Sequence, residues 1–338
     1  MNAGATPPSL RPKIASSLDA AFAAREVVKA TLIRITLHAV HMDDYRVFRE
    51  AMDPTLRAAR LDARFRASGL APADADALIP DLLAHMTQTT SASEMEAWLA
   101  QRVGSPLHPG ARRGFRGYAP LLHAPTGGPW SFGSHNAYVA ASPRPALADD
   151  EASGAGLQTL VVRYREGFGP ASIADVVQFA HVPRARVKQA VQALGGALER
   201  LEDPNGEPLF DIPGAPCPAE ETPAPPRLMP MWDSILLAYW DRGRIIPPGY
   251  RALVTRSNGD VLPTLLVDGY VAGVWRPAAG GIETTAFHPL PDDAWDGLAT
   301  EARSLTAFLA EREPEIYRRY GHWWSKLPEG ETRLLPDG

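Results

Sequence analysis

The 338-residue chain is 45% hydrophobic and 22% charged, the composition of a globular protein with material for more than one core. Its 34 Lys and Arg against 39 Asp and Glu leave a net charge of −5, so no overall basic field holds a polyanion and any nucleic-acid contact has to come from local patches. A single cysteine, Cys217, excludes an internal disulfide and a cysteine-built zinc cluster. The first twelve residues lack a signal-peptide pattern, and no stretch approaches the roughly 20 apolar residues of a membrane span, so no membrane partner and a cytoplasmic location are expected.

In chain order, a helix is expected from Ser17 to Ala30. A strand from Thr31 to Val40 follows, with Ile33, Ile35, Leu37 and Ala39 on one face and Arg34, Thr36 and His38 on the other. Asp43-Asp44 opens a helix through Tyr45, Phe48 and Met52, and Asp53-Pro54 has the form of an N-cap and first-turn proline that start another, with Arg57, Arg60 and Arg64 as a solvated stripe. Helices are expected over Asp74–Met86 and Ser93–Val103, the latter headed by Ser91/Glu94 and Ser93/Glu96 capping boxes. Arg112-Arg113-Gly-Phe115-Arg116-Gly-Tyr118 has the composition of a loop, Leu121–Ala141 that of a hairpin, and Ser142–Gly156 that of a linker.

Residues 169–213 have the layout of a helix-turn-helix followed by a hairpin. Ser172 and Asp175 form a helix start, and Ile173, Val176, Val177 and Ala180 give one apolar stripe. After a turn at His181-Val182, Pro183 opens a second helix in which Val187, Val191 and Leu194 recur at helical spacing and Arg184, Arg186 and Lys188 are left outside. Two short strands around Asp203-Pro204-Asn205-Gly206 complete a winged helix. Its three cations are candidate DNA contacts; an ordinary helical pair with a hairpin, or a protein-binding winged helix, fits the same pattern.

Beyond a proline-dense linker over Pro213–Pro230, an apolar segment at Met231–Asp241 precedes short strands at Val261–Leu266, Tyr270–Arg276 and Gly281–His288, the pattern of an antiparallel sheet or small barrel. A closing helix spans Asp296–Arg312, and Trp323-Trp324 are expected in a core. The expected fold class is α+β: tandem winged-helix domains over 13–141 and 157–213, the first N-terminally shortened, and a β-rich domain over 231–327. His135, His181, His288 and His322 are scattered singly, so no metal site is expected, and Gly154-Ala-Gly156 lies outside a βαβ context, so no nucleotide cofactor is expected.

Three blocks together resemble one family, the AlkZ-type tandem winged-helix DNA glycosylases. They are Arg34-Ile-Thr36-Leu37-His38-Ala-Val, similar to the family's Arg-Gly-Thr-Leu-His-x-Val; Asp233-Ser-Ile-Leu-Leu-Ala-Tyr-Trp-Asp241-Arg242-Gly-Arg244-Ile; and Asn258-Gly259-Asp260 through Gly273-Val-Trp275-Arg276. The resemblance implies excision of alkylated purines from double-stranded DNA, with Arg34, Arg184, Arg186, Lys188, Arg242 and Arg244 as candidate DNA contacts. The family's catalysis is attributed to a Gln-x-Gln or Gln-x-Asp motif upstream of the Thr-Leu-His strand. This sequence holds no glutamine before Gln88 and no such triplet. Thr36 and His38 are the residues left to position water, or else they belong to the strand's structure; the family does not assign them the catalytic role. A DNA-binding or regulatory winged-helix protein without catalysis is the alternative.

Overall fold

The computed structural model describes residues 11–58, 62–127, 135–310 and 316–336. The chain divides into two compact units, one over Leu18–Ala215 and one from Pro216 onward that also takes in the described residues before Leu18.

Helix α1 (Arg11–Ala23), which enters the first unit at Leu18, stops well before Ala30 because Arg25 takes a left-handed φ of 59° and the β-branched Val27-Val28 pair enters strand β1 (Val27–Thr31). The single strand expected over Thr31–Val40 is instead a reversal. Arg34 and Ile35 have φ of 57° and 59°, Leu32 N–H donates to Thr36 O at 3.0 Å, and strand β2 (Leu37–His41) returns antiparallel on β1. The apolar face predicted there does not form: Ile35 is 40% and Leu37 51% exposed.

Helix α2 (Met42–Ala58) runs unbroken through Asp53 and Pro54, so Asp53 starts no new helix. Its side chain is turned inward: Arg49 Nη1 donates to Asp53 Oδ1 at 2.8 Å, and Arg49 Nη2 donates to Tyr118 O. Helices α3 (Ala63–Arg66) and α4 (Pro72–His85), strand β3 (Thr90–Ser91) and helix α5 (Ala92–Val103) follow, α5 with the Ser91/Glu94 capping box. Of the stripe on 57–64, Arg57 pairs with Asp76 at 2.9 Å, Arg64 is exposed, and Arg60 lies outside the described residues. The expected loop at 112–118 is helix α6 (Pro109–Tyr118), with Phe115 and Tyr118 in the core and Arg112 and Arg116 on Glu96. Strands β4 (Leu121–Ala124) and β5 (Ala137–Ala140) form the expected hairpin, whose residues 128–134 lie outside the described set, and complete an antiparallel sheet in the order β2-β1-β4-β5-β3.

The segment expected as a linker is an ordered strap and the start of a long helix. Glu50 Oε1 accepts from Ala146 N and Asp53 Oδ2 from Ala148 N, both at 2.9 Å, and α7 (Asp150–Phe168) begins directly after. Its glycines, which made the segment look unstructured, include Gly156, where a Cβ would overlap Val47 O and come within 2.8 Å of Ala51 N; only glycine lets α7 lie this close to α2. Helices α8 (Ile173–Ala180) and α9 (Arg184–Leu194) and strands β6 (Glu199–Glu202) and β7 (Pro208–Asp211) complete the unit. Arg165, 1% exposed, joins α7 to that hairpin, donating from Nε to Phe210 O at 3.2 Å with its guanidinium over the Phe210 ring. One core runs from Val28 through Tyr138 to Leu198, so residues 13–141 and 157–213 share an interior.

In the second unit, strands β8 (Arg227–Met229), β9 (Thr264–Val267), β10 (Tyr270–Ala278), β11 (Gly281–Ala286) and β12 (Glu331–Pro336) form an antiparallel sheet in the order β12-β11-β10-β9-β8. The sheet is open, with β12 and β8 as unjoined edges, so of the two expected forms it is the sheet and not a closed barrel. The short helix α10 (Arg251–Val254) precedes β9, and α11 (Asp292–Leu309) packs Leu298, Ala302 and Leu305 on Leu228, Leu265, Ile282 and Leu335. Trp275 is buried with Nε1 donating to Met229 O at 2.8 Å, and Trp324 packs with Met231, Leu262 and Val274. Among the described residues, no helix is long and apolar enough to cross a membrane.

Removing one partner of a buried ion pair strands the other in the core. Asp53→Ala is expected to destabilise the protein by about 3–5 kcal/mol, read as a lower urea midpoint; a midpoint equal to that of the parent would contradict this role for the pair.

Candidate nucleic-acid interface

The segment 172–194 is shaped by its capping. Ser172 and Asp175 form the reciprocal box, with Ser172 N donating to Asp175 Oδ2 at 2.7 Å, and His181 ends α8 in the left-handed conformation at φ 53°. Val176, Phe179 and Ala180 of α8 and Val187, Ala190 and Val191 of α9 are buried, which leaves Arg184 and Lys188, one turn apart, on the exposed face. Among the described residues neither has an ion-pair or hydrogen-bond partner. Pro183, the N-cap of α9, supplies no side-chain acceptor, so the first-turn N–H groups and Arg184 present positive charge together.

The other candidate cations divide differently. Arg186 is half-buried and donates to Ser153 Oγ at 2.8 Å, and burial lowers its pKa while Asp150 opposes that shift. Arg34 donates to Phe179 O at 2.6 Å and lies over the Phe179 ring at the end of α8. In the second unit, Arg242 donates to Leu236 O at 2.9 Å, whereas Arg244 is exposed and stacks over Tyr239 at 4.0 Å. Arg34, Arg186 and Arg242 therefore brace the fold, and Arg184, Lys188 and Arg244 face solvent. The β6–β7 hairpin carries Glu199, Glu202, Asp203 and Glu207 against Arg200, all outside the core, a charge opposite to what a phosphate contact needs.

Thr36 and His38 leave the reversal on extended backbone. Thr36 Oγ1 donates to Ile33 O at 3.0 Å, and His38 Nδ1 lies 3.0 Å from Thr36 O. Burial, assisted by the Arg34 charge and opposed by the bond to Thr36, brings the His38 pKa down to about 4, so the imidazole is neutral at pH 7. A carbonyl only accepts, so Nδ1 carries the proton and Nε2 presents a lone pair.

Sequence reasoning missed a second histidine in the same sheet. His123 is placed by register beside Lys29 and Tyr138, and burial with the charges of Lys29 and Arg116 brings its pKa down to about 4. The residues lie far apart in sequence, and only strand pairing unites them. A groove of about 720 Å³ in the second unit is lined by Arg276, Glu283, Trp324 and Thr332, but Arg276 and Glu283 pair at 2.5 Å and compensate one another. Among the described residues no group of three or more His, Cys, Asp or Glu could hold a metal ion.

Both histidines have folded pKa values of about 4 against an ordinary 6.5, so between these limits the unfolded chain binds more protons. Stability is then fully present above pH 7 and declines as pH falls from about 6.5 to 4. Urea midpoints measured across this range should fall with acid, and His123→Gln should reduce the slope; an unchanged slope would contradict a neutral buried His123.

The family model described as DNA glycosylase AlkZ-like matches residues 12–308. Among solved structures, the Streptomyces sahachiroi DNA glycosylase AlkZ is similar with a TM-score of 0.71 and 19% identity, covering 88% of this chain and 82% of that one, a likeness of fold. The comparison with curated proteins finds no match. With the match spanning both units, this chain belongs to the AlkZ-like DNA glycosylase family.

Proposed function

We propose that this chain is a cytoplasmic DNA-repair protein that holds double-stranded DNA and hydrolyses the N-glycosidic bond of a bulky N7-alkylpurine. The segment α8-turn-α9 with the β6–β7 hairpin serves as a winged helix, and the β1–β5 region with its helices as the tandem partner. The observation that carries the reading is the exposed, uncompensated Arg184–Lys188 face at the open start of α9, in a chain of net charge −5 whose family repairs DNA. Phosphates meet that helix, and the acidic hairpin stays off the backbone.

An N7-alkylpurine is cationic and departs readily, so the enzyme has to place water and tolerate positive charge developing on the sugar. A neutral His38 adds no charge opposing that development, and its Nε2 can accept a proton from water. Arg34, held at Phe179 O, keeps the strand's entry in place as a positioning residue.

The absence of a Gln-x-Gln or Gln-x-Asp triplet favours a second reading, in which this chain binds DNA without releasing base. Base release from duplex DNA carrying N7-methylguanine separates the two. The first reading expects release above the spontaneous rate, lowered at least ~100-fold by His38→Ala with binding retained; binding without release supports the second. In either case Arg184→Ala with Lys188→Ala should weaken duplex binding and reduce the salt slope by about 2, at ~0.9 per phosphate contact. An unchanged slope would remove α9 from the interface.

A further inference from the structure

In the second unit, the turn from Arg256 to Asp260 packs against Trp323 of the 3-10 helix Arg318–Lys326. The turn closes where Arg256 N donates to Asp260 O at 2.8 Å, and Trp232 Nε1 pins it by donating to Gly259 O at 3.2 Å. Asp260 Oδ2 accepts from Trp323 Nε1 at 2.8 Å and from Asn258 Nδ2 at 2.9 Å, so this carboxylate orients the indole. Two cations lie over that ring, the Arg256 guanidinium 5.2 Å and the Lys326 ammonium 4.5 Å from its centre, and the exposed His322 ring lies beside it at 4.5 Å. Neither cation pairs with a carboxylate among the described residues. Arg256 is half-buried: its Nε and Nη2 are shielded and bond to nothing, which leaves Nη1 as the donor open to solvent. Burial alone lowers its pKa, with no neighbouring charge opposing the shift.

Two like charges over one ring, with no carboxylate at either, favour an arriving anion. The indole acts as their seat: the cation–π contact holds the Arg256 fork in one orientation, so little freedom is lost when Nη1 bonds a ligand oxygen. We infer that Arg256 and Lys326, seated on Trp323, take a backbone phosphate of duplex DNA. The inference rests on the DNA-binding reading above and adds a second contact, on a different unit from α9. The site is one-sided, with Lys326 and His322 exposed, and a free phosphate met on one side by hydrated cations gains little. A phosphate that belongs to a polymer already held at α9 arrives at high effective concentration, and there the same contact adds to affinity. The Asp260 charge opposes a phosphate, but its place is set by the indole that it orients.

The test titrates the full chain with a fully paired duplex over a series of salt concentrations. Arg256→Ala with Lys326→Ala should reduce the salt slope by about 1, at ~0.9 per phosphate contact. Lys326→Ala alone, at an exposed position where circular dichroism is expected to be unchanged, should weaken binding about threefold. Asp260→Asn keeps an acceptor for Trp323 Nε1 and removes the opposing charge, so it should tighten binding, which a merely structural role for the turn would not do. A parent that binds the duplex, with Lys326→Ala and Asp260→Asn both matching it in affinity and slope, would overturn this inference and leave the α9 reading standing. Failure of the parent to bind the duplex would remove the DNA-binding reading itself and this inference with it. Binding of inorganic pyrophosphate that is lost in Lys326→Ala, with duplex affinity unaffected by the same change, would assign the site to a free anion and overturn the inference.

Discussion

The buried Arg49 guanidinium is the junction on which the larger unit depends. It ties α2 to the end of α6 through Tyr118 O and fixes Asp53, which with Glu50 holds the 146–148 strap by its backbone N–H groups. The strap delivers α7 onto α2 at Gly156, α7 holds the hairpin through Arg165, and Arg186 of α9 reaches back to Ser153 of α7. The orientation of the exposed face of α9 therefore traces back to an ion pair on a helix that carries none of the proposed contacts. A charge removed from water needs this many partners, and meeting the need orders elements far apart in sequence.

The same accounting explains how an acidic protein can meet a polyanion. Many of its arginines are consumed by structure: Arg49 and Arg57 by carboxylates, Arg112 and Arg116 by Glu96, and Arg34, Arg165 and Arg242 by backbone carbonyls. Among the described residues, Arg184 and Lys188 of α9 and Arg244 of the second unit are exposed and pair with no carboxylate. A contact made of few charges has a shallow salt dependence, since the slope scales with the number of phosphates met, and leaves selectivity to shape.

The α8–α9–hairpin segment was legible in the sequence because its signals are local: a capping box, a left-handed turn residue and valines at helical spacing. The reversal at Leu32–Thr36 was not, because alternation over Thr31–Val40 looks the same in a strand and in the arms of a hairpin. The clue was the glycine that the family block has where this chain has Ile35, a position whose φ is 59°. Helix α7 was hidden by its glycines, whose purpose is tertiary contact with α2. Of the six candidate cations, the sequence could name the residue type but not its partner. Arg184 and Arg186 look alike in a run of basic residues, yet one is exposed and the other is bound to Ser153.

The most direct measurement is amide hydrogen exchange of the full chain with and without a duplex carrying N7-methylguanine. The account predicts slowed exchange in the first turns of α9, around Arg184–Lys188, with the acidic hairpin at 199–207 unchanged. Protection centred on that hairpin, or none in α9, would contradict it.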